Sequence, residues 1–317
     1  MIAALLAVAL AQEDPGAAVR RALPLLEKSS SSYLTQRDCF SCHHQAVPLF
    51  ALTLVKRKGF AIDEKNYQDQ LKRTADFLEG NKDGFRKGRG LGGKSATASY
   101  ALWTLETGGW KSDETTAAVI EYLLVSDKDR DYWQPPSNRP PSEASPFTPT
   151  AFSLQAFQTY GIADQKARIE ARTAKVREWL LKAEPKDTED RVFRLWALHY
   201  AGVEEGQVRA AARALRETQR EDGGWGQKED MATDAYATGS ALAALREVGG
   251  AAAADAAWRK GIAYLLKTQR EDGTWLVKTR SKPIQKYFES GFPHGTDQFI
   301  SISATGWAVA ALALACP

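Results

Sequence analysis

The 317-residue chain is 44% hydrophobic and 26% charged, which is enough apolar material for a full globular core. Its formal charge of +3 is small, and lysines and arginines are interleaved with acids, as in "LKRTADFLEGNKDGFRKGRG"; no basic stripe forms, and nucleic acid is excluded as a partner. Three cysteines in a chain of this length leave stability to packing rather than to a disulfide framework.

The chain opens on "MIAALLAVALAQED", a short apolar run closed by Ala9-Leu10-Ala11, which suits signal-peptidase cleavage before Gln12. Residues 1–11 are read as a secretory signal and residues 12–317 as a single domain, periplasmic or secreted. About eleven residues fall short of the ~20 that span a bilayer. No later segment reads as transmembrane, so the cleaved chain is not expected to span a membrane.

After an amphipathic stretch, "AAVRRALPLLEKS", residues 39–45 read "CFSCHHQ". Cys-x-x-Cys-His is the attachment signature of c-type haem. The thiols of Cys39 and Cys42 add to the vinyl groups, and His43 ligates iron from the proximal side. Export agrees with this, because c-type haem is attached outside the cytoplasm. A zinc ion held by Cys39, Cys42 and a histidine, and a disulfide between the two cysteines, are the alternatives.

From here two kinds of helix alternate. One kind is rich in small residues, with Leu and aromatics on most faces: residues 46–59, 96–109, 148–161, 190–202, 234–249 and 304–315. The first five end at Gly, where a left-handed cap is expected. The other kind carries charge on one side and Leu, Ala and Trp on the other: "YQDQLKRTADFLEG", "TTAAVIEYLLVSDKD", "ARIEARTAKVREWLLKAE", "VRAAARALRETQ" and "AAWRKGIAYLLKTQ". With the first amphipathic stretch there are six of each. Six apolar helices wrapped by six amphipathic ones predict an all-α fold, an α/α toroid, with the inner N-termini at one rim.

Two segments are near copies: "LRETQREDGGWGQ" at 215–227 and "LLKTQREDGTWLV" at 265–277. Each ends a helix and then runs through Gln, an Asp-Gly turn and Trp. Together with "TDAYATGSALAALREVG" and "YFESGFPHGTDQFISISATGWAVAAL", these turns resemble the C-terminal repeats of squalene-hopene cyclases and the prenyltransferase-like superfamily. The resemblance is sharpest over 180–317 and implies the toroid, with Gln-Trp turns tying the outer helices and a cavity for a hydrophobic, isoprenoid-like molecule. It does not carry over the chemistry. Class II terpene cyclases use an Asp-x-Asp-Asp acid that this chain lacks; the nearest string, "SDKDRDYW" with Asp127, Asp129 and Asp131, has the wrong spacing and reads as a solvated turn.

The haem reading needs a second axial ligand, and the chain has only four histidines and two methionines. His294, in "SGFPHGTDQ" before the sixth inner helix, shares the predicted rim with His43 and leads the candidates; Met231 is the second. His44 is tied too closely to His43. His199 lies about 13 Å along the fourth inner helix and reads as a core or cavity residue. Asp190, Asp234 and Asp297 stand near starts of inner helices, where capping is the default role. Tyr100, Trp103, Phe152, Phe157, Phe193, Trp196, Tyr236 and Trp307 divide between core packing and pocket lining. The proline-rich stretch 131–149 is expected to cover the rim. Three functions follow: a c-type haem protein working with a redox partner, a terpenoid cyclase-like or isoprenoid-binding protein without haem, and a non-catalytic binding module.

Overall fold

The computed structural model describes residues 14–283 and 286–317, so the predicted leader lies outside the described residues. In chain order the helices are α1 (Pro15–Gln36), α2 (Val47–Arg57), α3 (Glu64–Glu79), α4 (Lys82–Arg86), α5 (Lys94–Thr107), α6 (Glu114–Val125) and α7 (Phe147–Tyr160). There follow α8 (Lys166–Lys182), α9 (Thr188–Tyr200), α10 (Glu205–Glu217), α11 (Ala235–Glu247), α12 (Ala256–Thr268) and α13 (Gln298–Ala315). Two short strands, β1 (Trp225–Gly226) and β2 (Thr233–Asp234), pair as an antiparallel hairpin before α11.

Burial sorts the helices as the sequence pattern does. Every residue of α13 from Ser301 to Ala313 is buried, and every residue of α11 from Ala235 to Leu245. In α3 only Asn66, Tyr67, Gln70, Leu71, Thr74 and Leu78 are buried, one stripe at helical spacing. A helix buried on all faces must sit inside others. α2 packs on α5, α5 on α7, α7 on α9, α9 on α11, α11 on α13, and α13 back on α2. With α1, α3, α6, α8, α10 and α12 outside, this is the predicted α/α toroid of six inner and six outer helices. α13 with its preceding turn, Gly295–Ala315, is long and apolar enough to cross a membrane, contrary to the sequence reading, but most of it is buried among the other inner helices.

Close approach of the inner helices depends on small residues. A Cβ on Gly239 would lie 2.5 Å from the Trp307 backbone, and one on Gly306 would lie 2.9 Å from Val47. Helix ends follow the expected glycine pattern at Gly59, Gly109 and Gly202, while Gly250 takes the left-handed conformation in place of Gly249, and Gly161 is extended.

The Gln-Trp turns fasten each outer helix to its neighbours. Trp225 Nε1 donates to the Leu215 carbonyl and Trp275 Nε1 to the Leu265 carbonyl, both at 3.0 Å. Gln219 Nε2 donates to the Ala257 carbonyl of α12, and Gln269 Nε2 to the Ala18 carbonyl of α1, both at 2.8 Å. A third copy is hidden in "SDKDRDYW". Trp133 is fully buried, its Nε1 donates to the Leu123 carbonyl at 3.0 Å, and Arg172 of α8 stacks on its ring. That segment is therefore anchored by its tryptophan rather than being a solvated turn throughout. The last turn closes the ring. Arg21 Nη2 donates to Gln269 Oε1 at 2.6 Å, and a Cβ on Gly273 would fall 2.3 Å from the Arg21 carbonyl oxygen. Gln269→Ala is expected to cost about 1–2 kcal/mol in urea unfolding by removing this partly buried bonding; a change within error would mean that the seam is held without it.

The barrel axis is filled. Trp103 stacks on Phe152 at 4.4 Å, Phe50 meets Trp103 at 5.1 Å, and Trp196 meets Trp307 at 5.7 Å. Phe193 and Tyr100 join the same cluster, and Phe157 packs on Trp133 between the rings. Open space is left at the two rims.

Candidate ligand site at the N-terminal rim

Cys42–Ala46 forms a turn with hydrogen bonds to the fifth residue on, leading directly into α2. Ser41 sets it: its Oγ accepts from the His44 N–H at 3.1 Å, and its own N–H donates to Gln45 Oε1 at 2.8 Å. Such π-type turns are rare and recur at functional sites. This one holds Cys42, His43 and His44 at the rim, in contact with α1, α5 and α13.

Two cavities meet at His43. The first, about 340 Å³, is lined by Tyr33, Cys39, Cys42 and Tyr100 among others. The second, about 400 Å³, is lined by Pro140, Lys282, Tyr287, Phe299 and Ile300 among others. His43, Arg139 and Glu143 border both. The proline-rich segment does cover this rim, though it ends at Pro146, since α7 begins at Phe147. It is held by Arg139 to Glu143 at 3.0 Å and by Ser281 Oγ donating to the Pro140 carbonyl. A smaller cavity of about 130 Å³ at the opposite rim lies between Arg57, Glu106, Gln155 and Glu247.

The electrostatics keep the site neutral around the imidazoles. Desolvation, helped by Arg139, holds His43 down to about 3, and burial keeps His44 well below the usual range, with His43 adding to it. The Cys42 thiol is pushed up by burial and then by Glu143, to which its Sγ donates at 3.5 Å. It is a protonated thiol in this setting. Tyr33 lies 3.3 Å from Cys39 Sγ and stacks on His44 at 5.0 Å.

Cys39, Cys42 and His43 all line the first cavity. Both hydrogen bonds of His43 use Nδ1, to Ser41 Oγ at 2.9 Å and His44 Nδ1 at 2.6 Å, so its Nε2 is uncommitted. When His43 donates from Nδ1, the Nε2 lone pair is free to ligate. That arrangement leaves one imidazole nitrogen open to a ligand. Among the described residues no group of three or more His, Cys, Asp or Glu side chains is arranged to hold a metal ion.

The other predicted residues stand apart. His294 lines neither cavity; its Nε2 is bonded to Thr274 Oγ1 at 2.9 Å, on the last Gln-Trp turn. Met231 sits in the β1–β2 hairpin and lines neither cavity. His199 is exposed beside Tyr200 rather than in the core, because the last turn of α9 emerges from the barrel. Asp234 caps α11 through the Ala237 N–H at 2.9 Å, whereas α9 is capped by Asp187 and Asp190 accepts from the Lys186 N–H. Asp297 accepts from the Thr279 N–H at 2.8 Å and pairs with Lys278 at 2.9 Å. Arg139, Glu143, Phe299 and Glu189 were not anticipated; they reach the rim from loops and helix starts far apart in sequence.

The profile of the family described as "Squalene-hopene cyclase C-terminal domain" matches residues 188–302. Among solved structures, a protein from Actinoplanes superposes with a TM-score of 0.60 at 16% identity, covering 96% of this chain and 100% of that one. A variant of the type II terpene cyclase MstE from Scytonema, in complex with geranylgeranyl dihydroxybenzoate, gives 0.58 at 14% identity, with 95% and 99% covered. The fold is a terpene-cyclase-like toroid. The same toroid also superposes on UGL in complex with dGlcA-Glc-Rha-Glc, with a TM-score of 0.57 at 13% identity over 92% and 95% of the chains. Likeness at this level is a likeness of fold, and chemistry has to be argued from the site. A comparison with curated proteins gives no match.

Proposed function

We propose that this toroid binds a hydrophobic, isoprenoid-like small molecule in the rim cavities beside His43, under the proline-rich cover. The observation that carries this reading is the wall of the second cavity: Pro140, Pro141, Tyr287, Phe299 and Ile300 form an apolar trough, with Arg139 and Lys282 on its border. Such a trough takes an apolar body with a polar or anionic head. The Scytonema neighbour, solved with geranylgeranyl dihydroxybenzoate as its substrate, supports the ligand class. Because the barrel axis is packed with aromatic rings and no Asp-x-Asp-Asp acid is present, the reading is of binding rather than class II cyclisation. Titration calorimetry with geranylgeraniol tests it: binding is expected, weakened severalfold in Phe299→Ala, and absence of binding heat to the folded protein would overturn it.

A second reading is favoured by one specific observation, the convergence of Cys39, Cys42 and the free Nε2 of His43 on the first cavity. In this reading the chain is exported to the periplasm or beyond, carries haem c on Cys39 and Cys42, and exchanges electrons with a redox partner. A bound haem would supply a one-electron iron centre. His43 is oriented by Ser41, and distal ligation by His294 would require breaking its bond to Thr274. Production in a host that matures c-type cytochromes, followed by intact mass and visible spectrum, decides it. One haem of added mass and a c-type reduced band support attachment, and a colourless protein of bare-chain mass rejects it.

A further inference from the structure

The opposite rim, where the inner helices end, carries the small cavity of about 130 Å³. Its apolar wall belongs to the aromatic cluster that fills the axis. Phe50 meets Trp103 at 5.1 Å and Trp196 at 6.3 Å, and all three rings line the space. Around that wall stand Arg57, Glu106 and Glu247, each in the last turn of an inner helix, α2, α5 and α11 respectively. The inner helices bring their carbonyl ends together here, and each such end carries roughly half a negative charge. Arg57 suits that position. Glu106 and Glu247 oppose it, because each puts a carboxylate where the backbone already favours a cation.

The protein does not cancel these charges by itself. Glu106 Oε2 accepts from Gln155 Nε2 at 2.8 Å, while among the described residues no hydrogen bond or salt bridge reaches the Glu247 carboxylate. Arg57 acts on both carboxylates through its charge but forms a salt bridge with neither. Arg246, beside Glu247, is committed to the Ala251 carbonyl at 2.6 Å. Partial burial raises both carboxyl groups above their ordinary value, and Arg57 offsets only part of that rise. The cavity therefore joins two under-neutralised acids and several helix C-termini to a wall of aromatic rings. Such rings attract cations, and an alkylated ammonium offers them both charge and apolar surface.

We propose that this rim is a second ligand site, taking a compact organic cation of the quaternary or alkylated ammonium class against Phe50, Trp103 and Trp196, between Glu106 and Glu247. A carboxylate or phosphate ligand is repelled by the two acids. Arg57 is the built-in competitor, since its guanidinium already supplies part of the charge that the ligand brings. The site lies across the barrel from His43 and does not rest on the reading proposed for that rim.

Titration calorimetry of the full chain tests this with choline and with its neutral carbon isostere, in which a tert-butyl group replaces the trimethylammonium. Choline is expected to bind, and the isostere about tenfold more weakly. Glu106→Gln and Glu247→Gln should each weaken choline severalfold, and Arg57→Gln, which removes the competing guanidinium, should tighten it. Equal affinities for the two compounds, or no choline binding to the folded wild type, overturns the proposal, and neither result depends on a variant folding. Choline affinity unchanged in both glutamate variants puts the ligand elsewhere on the molecule and also overturns it.

Discussion

Trp307→Ala is expected to lower the stability of the toroid by about 3–5 kcal/mol, the range for truncating a large buried aromatic residue. Trp307 is fully buried on α13, and its ring meets Phe50 at 5.4 Å, Trp196 at 5.7 Å and Trp103 at 6.0 Å. These partners sit on α2, α9 and α5, so one side chain joins four inner helices. Backbone contacts on either side of it are already tight at Gly239 and Gly306, which limits collapse into the space left behind. The indole nitrogen lies beside the Tyr236 side chain without a well-formed hydrogen bond, so the loss is chiefly packing. Urea unfolding measures it. A cost below about 1 kcal/mol would show that the axis can repack.

Glu189→Gln should stabilise the protein in a pH-dependent way. Burial first, and then Asp187, raises Glu189 from 4.5 to about 8. In the unfolded chain the group ionises at the ordinary value, whereas in the folded chain it keeps its proton, so the wild type loses stability as pH rises through this window and the loss is complete above about 8. At 1.36 kcal/mol per unit the gap is worth up to roughly 5 kcal/mol, and glutamine, which does not titrate, escapes it. Asp187, Asp190 and Tyr236 are common to both proteins and largely cancel in the difference. Unfolding free energies at about pH 4 and about pH 9 should therefore diverge only at the higher pH. A wild-type-to-variant difference that stays flat with pH would mean that Glu189 titrates like an exposed acid.

Much of the architecture was legible because helices that must be buried all round cannot carry charge in mid-span. The contrast between "ATGWAVAALALA" and "AAWRKGIAYLLKTQ" states that rule in the letters themselves. The turn at Trp133 was hidden because Arg130-Asp131 stands where the two clear copies have Asp-Gly, and an arginine from α8 stacks on its tryptophan where those copies rely on Gln. The spacing from Leu123 to Trp133 matches Leu215 to Trp225 and Leu265 to Trp275, and that interval was the readable signal. Cys39, Cys42 and His43 were legible as a motif. Their surroundings were not, because Glu143 reaches Cys42 from 101 residues away, and no local pattern encodes that approach. Glu189 looks like an ordinary acid in a first helical turn; only the ring places Tyr236 and Thr148 over it and shuts out water.

The seam between the last Gln-Trp turn and α1 joins residues 248 to 251 positions apart. A chain threading out of a ribosome makes α1 about 250 positions before the residues that meet it, so that helix waits through the synthesis of most of the ring with one flank bare. Closing so large a loop carries a substantial entropic cost that only the assembled ring can repay, and contacts this distant are slow to form. The molecule is in that sense a clasped bracelet, whose clasp is the last contact to be made and the natural first place for it to open.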